Sequence, residues 1–86
     1  MPEVIVLGDV TIDIVAQLES YPLLGGDVQP LETIATLGGT SLTTAVMLAR
    51  LGVEAALVAR VGPDIFGDYV LAQMEREGLS NRWMER

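Results

Sequence analysis

Leu37-Gly38-Gly39-Thr40-Ser41-Leu42-Thr43-Thr44-Ala45-Val46-Met47-Leu48-Ala49-Arg50-Leu51-Gly52 is the stretch on which the fold turns. Upstream of it, apolar residues alternate loosely with polar ones. Downstream, Leu42, Ala45, Val46, Ala49 and Leu51 follow helical spacing. The change of period falls on Gly38-Gly39. Two glycines let the backbone take positive φ and let another group approach without meeting a Cβ. Thr40 or Ser41 is expected to cap the new helix, and Gly52 to stop it. A helix starting here aims unpaired N–H groups and a partial positive charge back at the glycines.

Working back towards the N-terminus, residues 28–37 read as a solvent-facing strand, with Leu31, Ile34 and Leu37 apolar and Pro30 favouring a sheet edge. Residues 21–27 hold Pro22, Gly25 and Gly26 and read as a loop. Residues 12–18 mix polar and apolar positions, as a half-exposed strand does. Val4-Ile5-Val6-Leu7 is an unbroken apolar run closed by Gly8. Such runs suit a strand covered on both faces, as in a parallel sheet.

Working forward from Gly52, residues 55–61 form a second buried apolar strand. Gly62-Pro63-Asp64 is a turn with Asp64 placed as a helix N-cap. A helix over residues 65–77 carries the stripe Phe66, Val70, Leu71 and Met74 and ends at Gly78. Residues 79–86 show no clear pattern. With the exposed strand pair set aside, the order is β-α-β-α. That order predicts an α/β fold: a partial parallel sheet with flanking helices, plus a small β excursion.

Composition narrows the chemistry. The 86 residues carry twelve acidic side chains against five arginines, with no lysine, histidine or cysteine. Disulfides, thiolate or imidazole metal sites, Cys nucleophiles and Ser-His-Asp triads are excluded from these residues. So are the lysine of a Walker-A loop and Schiff-base chemistry. A net charge of −7 makes nucleic acid and anionic membranes poor partners. No apolar run approaches the ~20 residues that span a bilayer, and Met1-Pro2-Glu3 lacks a basic leader, so a cytoplasmic location is expected. A chain of this size buries only roughly 60–65% of its unfolded surface, which allows one modest core.

Three places could hold a ligand. Gly38-Gly39 is either a plain strand-to-helix turn or a seat for a hydroxyl-rich or anionic group. Asp13 stands in the apolar stretch Ile12-Asp13-Ile14-Val15 and either accepts hydrogen bonds from two ligand hydroxyls or guards a sheet edge against pairing. Arg60, at the end of a buried strand, is expected to pair with Asp64 or Asp68. Asp9 serves the turn beside Gly8. No G-x-G-x-x-G dinucleotide fingerprint occurs, which argues against a Rossmann domain.

Taken in order, three segments resemble the N-terminal region of the PfkB, or ribokinase-like, carbohydrate kinases. They are Gly8-Asp9-Val10-Thr11-Ile12-Asp13, Gly25-Gly26-Asp27 leading to Leu37-Gly38-Gly39, and the segment 58–69, whose Val61-Gly62-Pro63-Asp64-Ile65-Phe66-Gly67 is similar to the family's V-G-x-D-x-x-G. The resemblance implies phosphoryl transfer from ATP, with Mg²⁺, to a sugar or nucleoside hydroxyl. It implies that Asp13 holds substrate hydroxyls, that Gly38 and Gly39 line the substrate pocket, and that strands of about residues 12–18 and 28–37 form a lid, through which many members dimerise. Thr43 stands where the family commonly has a substrate-facing Asn, and Thr11 where ribokinase itself has Asn. The family's second signature, with its catalytic Asp and glycine-rich anion hole, has no counterpart here. No catalytic base is therefore expected in residues 1–86, which would be an N-terminal part of a kinase domain, inactive alone. The other reading is a stand-alone module that binds a ligand or dimerises without catalysis.

Overall fold

The computed structural model describes residues 2–86. Along them run β1 (Val4–Leu7), β2 (Thr11–Gln17), β3 (Glu32–Gly38), α1 (Thr40–Arg50), β4 (Ala55–Arg60), α2 (Ile65–Arg76) and β5 (Met84–Glu85). Strands β1, β4 and β5 lie side by side in that order as a parallel sheet. Strands β2 and β3 form a separate antiparallel hairpin. The α/β architecture read from the sequence is the one observed, with the hairpin as the excursion.

Parallel neighbours need a crossover long enough to return the chain, and α1 and α2 supply it. Their apolar stripes meet β4. Leu42 and Ala45 of α1, Leu57 of β4, and Val70 and Met74 of α2 close around one core with Val61 and Leu79. Leu42, Leu57 and Met74 are the largest side chains buried outright. Removing each from water contributes about 1.5–3 kcal/mol. Only the root of the hairpin, through Ile12 and Leu37, packs against this core, and the molecule is elongated, at 53 × 28 × 19 Å.

Several local expectations hold. Asp64 caps α2, its side chain accepting the Gly67 N–H at 2.8 Å. Gly52 and Gly78 take φ of 84° and 75° just beyond the two helices. Others need correcting. Neither Thr40 nor Ser41 caps α1: the cap is Gly39, at φ 94°, and no side chain bonds the helix start. Positive φ at Gly39 turns the chain into the helix one residue early, so Thr40 is already helical. Ser41 Oγ instead donates to the Leu7 carbonyl at 3.4 Å, tying α1 to the end of β1.

The hairpin strands are displaced from their expected bounds. The second one starts at Glu32, because Pro30 has no N–H for the ladder. The unpatterned tail contains β5, which pairs Ala59 with Met84 and Arg60 with Glu85. That register brings Arg60 to Glu85 at 2.9 Å, in place of Asp64 or Asp68, while Asp68 pairs with Arg86 at 2.6 Å. Strand β1 is not covered on both faces. Val6 packs on the core, but Ile5 and Leu7, on the opposite face, are 69% and 77% exposed.

Candidate functional site

The root of the hairpin gathers the polar residues singled out above. In the β2–β3 register, Thr11 lies opposite Gly38 and Asp13 opposite Thr36. Side chains on one strand alternate between faces, and directly opposed residues share a face. Thr11, Asp13, Thr36 and the bare backbone of Gly38 therefore lie together on one face. The partner face carries Ile12 and Leu37, which pack against the core. Burial of that apolar face fixes the register. A slip of one residue would turn Asp13 inward and Ile12 outward.

Gly38 is buried beneath this patch. A Cβ there would stand 2.5 Å from Asp13 Oδ2 and 2.6 Å from Thr11 Oγ1, so only glycine fits while those groups keep their places. Thr11 Oγ1 donates to Asp13 Oδ1 at 3.3 Å, a long bond that orients the carboxylate and leaves its other oxygen available. Gly39 serves the turn in a second way. Besides its positive φ, a Cβ there would meet the Asp9 carbonyl oxygen at 2.7 Å. Asp9 thus contributes backbone to the crossing of the two chain segments.

Thr43 stands apart from this group. It is exposed on α1 and lines a hollow of about 370 Å³ along β3, together with Thr36, Leu37, Met47, Arg50 and Tyr69. Its hydroxyl makes no hydrogen bond to Asp13 among the described residues. A second hollow, of about 400 Å³, lies on the apolar face of β2, between Ile12 and Ile14 on one side and Phe66 and Val70 of α2 on the other. Asp13 lines neither.

Two residues that the sequence did not single out tie the elements of the fold together. Tyr69 of α2 donates its hydroxyl to the Ala35 carbonyl at 2.9 Å, fastening β3 to the helical layer. Arg50, at the end of α1, binds Glu77, past the end of α2, through Nε at 2.9 Å and Nη2 at 2.6 Å. The hydrogen bonds from Arg50 hold the Glu77 carboxyl below its ordinary pKa, and Glu77 raises that of Arg50. Tyr69 lies one turn beyond the Asp64 cap; its target is set by tertiary packing and left no mark in the sequence pattern.

An open parallel α/β layer with a separate β hairpin is a fold this chain shares with solved ribokinase-fold kinases. The chain belongs to the pfkB family of carbohydrate kinases, whose family model matches residues 1–86. It is 33% identical to an uncharacterized sugar kinase of Escherichia coli over 88% of its own length and 24% of that protein's. It is 29% identical to the ribokinase of Bacillus subtilis, over 99% of this chain and 29% of the other. The fructokinase structure from Halothermothrix orenii superposes with a TM-score of 0.76 at 32% identity, over 95% of this chain and 28% of that one. The Arabidopsis thaliana ribokinase structure complexed with ribose and ATP shares the fold, with a TM-score of 0.85 at 22% identity, covering 98% of this chain and 28% of that one. The chain thus spans about a quarter of the length of these relatives. No described helix is long and apolar enough to cross a membrane.

Proposed function

We propose that residues 1–86 are the substrate-gripping and lid portion of an ATP-dependent kinase that phosphorylates a hydroxyl of a sugar or nucleoside. The observation that carries this reading is the exposed Asp13 carboxylate and Thr11 hydroxyl packed together on the backbone of Gly38, which only a residue without a Cβ allows. An exposed carboxylate with one oxygen free of internal hydrogen bonds accepts hydrogen bonds from ligand hydroxyls. The similarity to sugar kinases from several organisms supports the same class of substrate.

In this reading Asp13 and Thr11 hold substrate hydroxyls. The backbone at Gly38 and Gly39 forms the floor, and Thr43 approaches from α1. The β2–β3 hairpin closes over the sugar. Excluding water in this way favours transfer to the sugar over hydrolysis. The exposed apolar residues of the hairpin, among them Ile14, Val15 and Ile34, also suit pairing with the hairpin of a second copy.

Bound ATP and Mg²⁺ would supply the phosphoryl group and neutralise charge developing on it. Among the described residues, no group of three His, Cys, Asp or Glu side chains could hold a metal ion. The chain also has no lysine to meet phosphates. In this reading the nucleotide, the metal and the base that accepts the hydroxyl proton are held by residues outside this segment.

The experiment is phosphoryl transfer by the full-length protein over a panel of sugars and nucleosides, wild type against Asp13→Ala. The expected result is transfer to at least one sugar-like alcohol and a KM raised about tenfold or more by Asp13→Ala, since hydrogen bonds to a charged group are each worth about 1.5–3 kcal/mol. Unchanged KM and kcat in Asp13→Ala would remove Asp13 from the site. A binding module without transferase activity would show sugar binding and no turnover.

A further inference from the structure

We infer that Thr36 is a further substrate-contacting residue, which reads the hydroxyl next to the one held by Asp13. This rests on the sugar-kinase reading above and deepens it.

The inference comes from register. Thr36 is the direct cross-strand partner of Asp13. In an antiparallel pair, such residues carry their Cβ atoms about 4.5–5.5 Å apart on the same face. In the sugar-kinase reading that face is the ligand-facing one, because it carries both Asp13 and Thr11, whose side chains pack on Gly38. Thr36 is exposed, and its hydroxyl has no hydrogen-bond partner among the described residues. Thr11, by contrast, already donates its hydroxyl proton to Asp13 and is left only to accept from a ligand hydroxyl.

The three alternate rungs that share this face have distinct characters. Thr11 and Gly38 make a notch, Asp13 and Thr36 a polar pair, and Val15 and Ile34 an exposed apolar pair, 51% and 47% accessible. A carboxylate that only accepts beside a hydroxyl that both donates and accepts matches two neighbouring hydroxyls of one sugar ring. The Val15–Ile34 rung beyond them offers cover to the ring's C–H face. The ligand class is a polyol with hydroxyls on adjacent carbons, and Thr36 distinguishes such a substrate from its deoxy analogue. A site that hydrogen-bonds a particular hydroxyl discriminates strongly against ligands lacking it.

The test uses the full-length protein, with KM and kcat measured for the preferred sugar and its monodeoxy analogues in wild type, Thr36→Val, Thr36→Ser and Asp13→Ala. Thr36→Val keeps the branched shape that a strand favours and removes only the hydroxyl. It is expected to raise KM for the preferred sugar about 3- to 10-fold, the loss of one neutral hydrogen bond. Turnover is expected to stay within about twofold, as for an interaction made equally before and during transfer. The KM penalty vanishes for one monodeoxy analogue, and Thr36→Ser restores binding. Thr36→Ala repeats the hydroxyl loss with less bulk, so the outcome does not hang on one variant.

A purely structural role would move all the sugars alike. A uniform penalty, or unchanged KM on every sugar, overturns the role of Thr36 while Asp13→Ala still reports on the kinase reading. Absence of transfer to any sugar or nucleoside by wild type overturns the kinase reading and this inference with it.

Discussion

Gly38 and Asp13 occupy each other's margins: a single carbon added at Gly38 would stand 2.5 Å from Asp13 Oδ2. Gly38 is not among the glycines with positive φ, so its identity is dictated by space.

Gly38→Ala therefore forces the carboxylate and the Thr11 hydroxyl aside. Both are ends of exposed side chains that can swing aside, so the expected stability loss is below about 1 kcal/mol. Sugar KM in the full-length protein should rise about tenfold or more, because the carboxylate is misplaced. Gly52→Ala is the control. Its added carbon meets no neighbour, but its φ of 84° is strained for alanine. It should lower stability by about 1 kcal/mol and leave KM unchanged. Equal KM effects in the two variants, read by steady-state kinetics beside thermal melts, would contradict the packing argument.

Tyr69→Phe should loosen the hairpin without disturbing the core. The variant removes the hydrogen bond to the Ala35 carbonyl and keeps the ring. The loss is about 1 kcal/mol. Hydrogen exchange should quicken over residues 32–38, while core amides of α2 keep their protection. Uniform acceleration across both elements would assign Tyr69 to global stability instead.

The Arg50–Glu77 pair carries a pH dependence of definite sign. The folded-state pKa of Glu77 is depressed by the hydrogen bonds from Arg50. Its stabilisation is therefore fully present above the unfolded carboxylate value of about 4.3. It is lost as pH falls through the lower folded value. The gap in melting temperature between wild type and Glu77→Gln should be constant near neutral pH and should close in acid. Both side chains are partly solvent-exposed, so salt should narrow the gap as well. A gap that widens in acid would reverse the assignment.

The 86-residue chain by itself should self-associate. Ile5 and Leu7 lie exposed on the face of the sheet turned away from the core, and β1 is an edge strand. Exposed apolar edges of this kind pair with other chains. Sedimentation should report species heavier than the monomer, and Ile5→Lys with Leu7→Lys should shift the distribution towards monomer. A monomeric, cooperatively melting wild-type chain would contradict this.

Much of the molecule was legible in the residues. Helical spacing after Gly38-Gly39, the Asp64 cap and the glycine stops express local rules, in which a residue and its near neighbours settle the backbone. The sequence by itself determined the order of elements and the α/β class. Its ordered motifs also marked the resemblance to the pfkB family. It named Asp13, Thr11 and Gly38 as candidates, yet it could not say that they touch. That contact depends on the β2–β3 register, which burial of Ile12 and Leu37 against the core selects. The same holds for Thr36 beside Asp13, for Tyr69 on Ala35 and for Arg60 with Glu85, each pair at least 22 residues apart in the chain. Only the tertiary structure decided these pairings, because hydrogen bonds and ion pairs between distant segments follow from packing and leave no period in the sequence. It also showed that the diglycine is two different devices: Gly39 turns the chain into α1, and Gly38 lets the Asp13 and Thr11 side chains pack directly on the backbone.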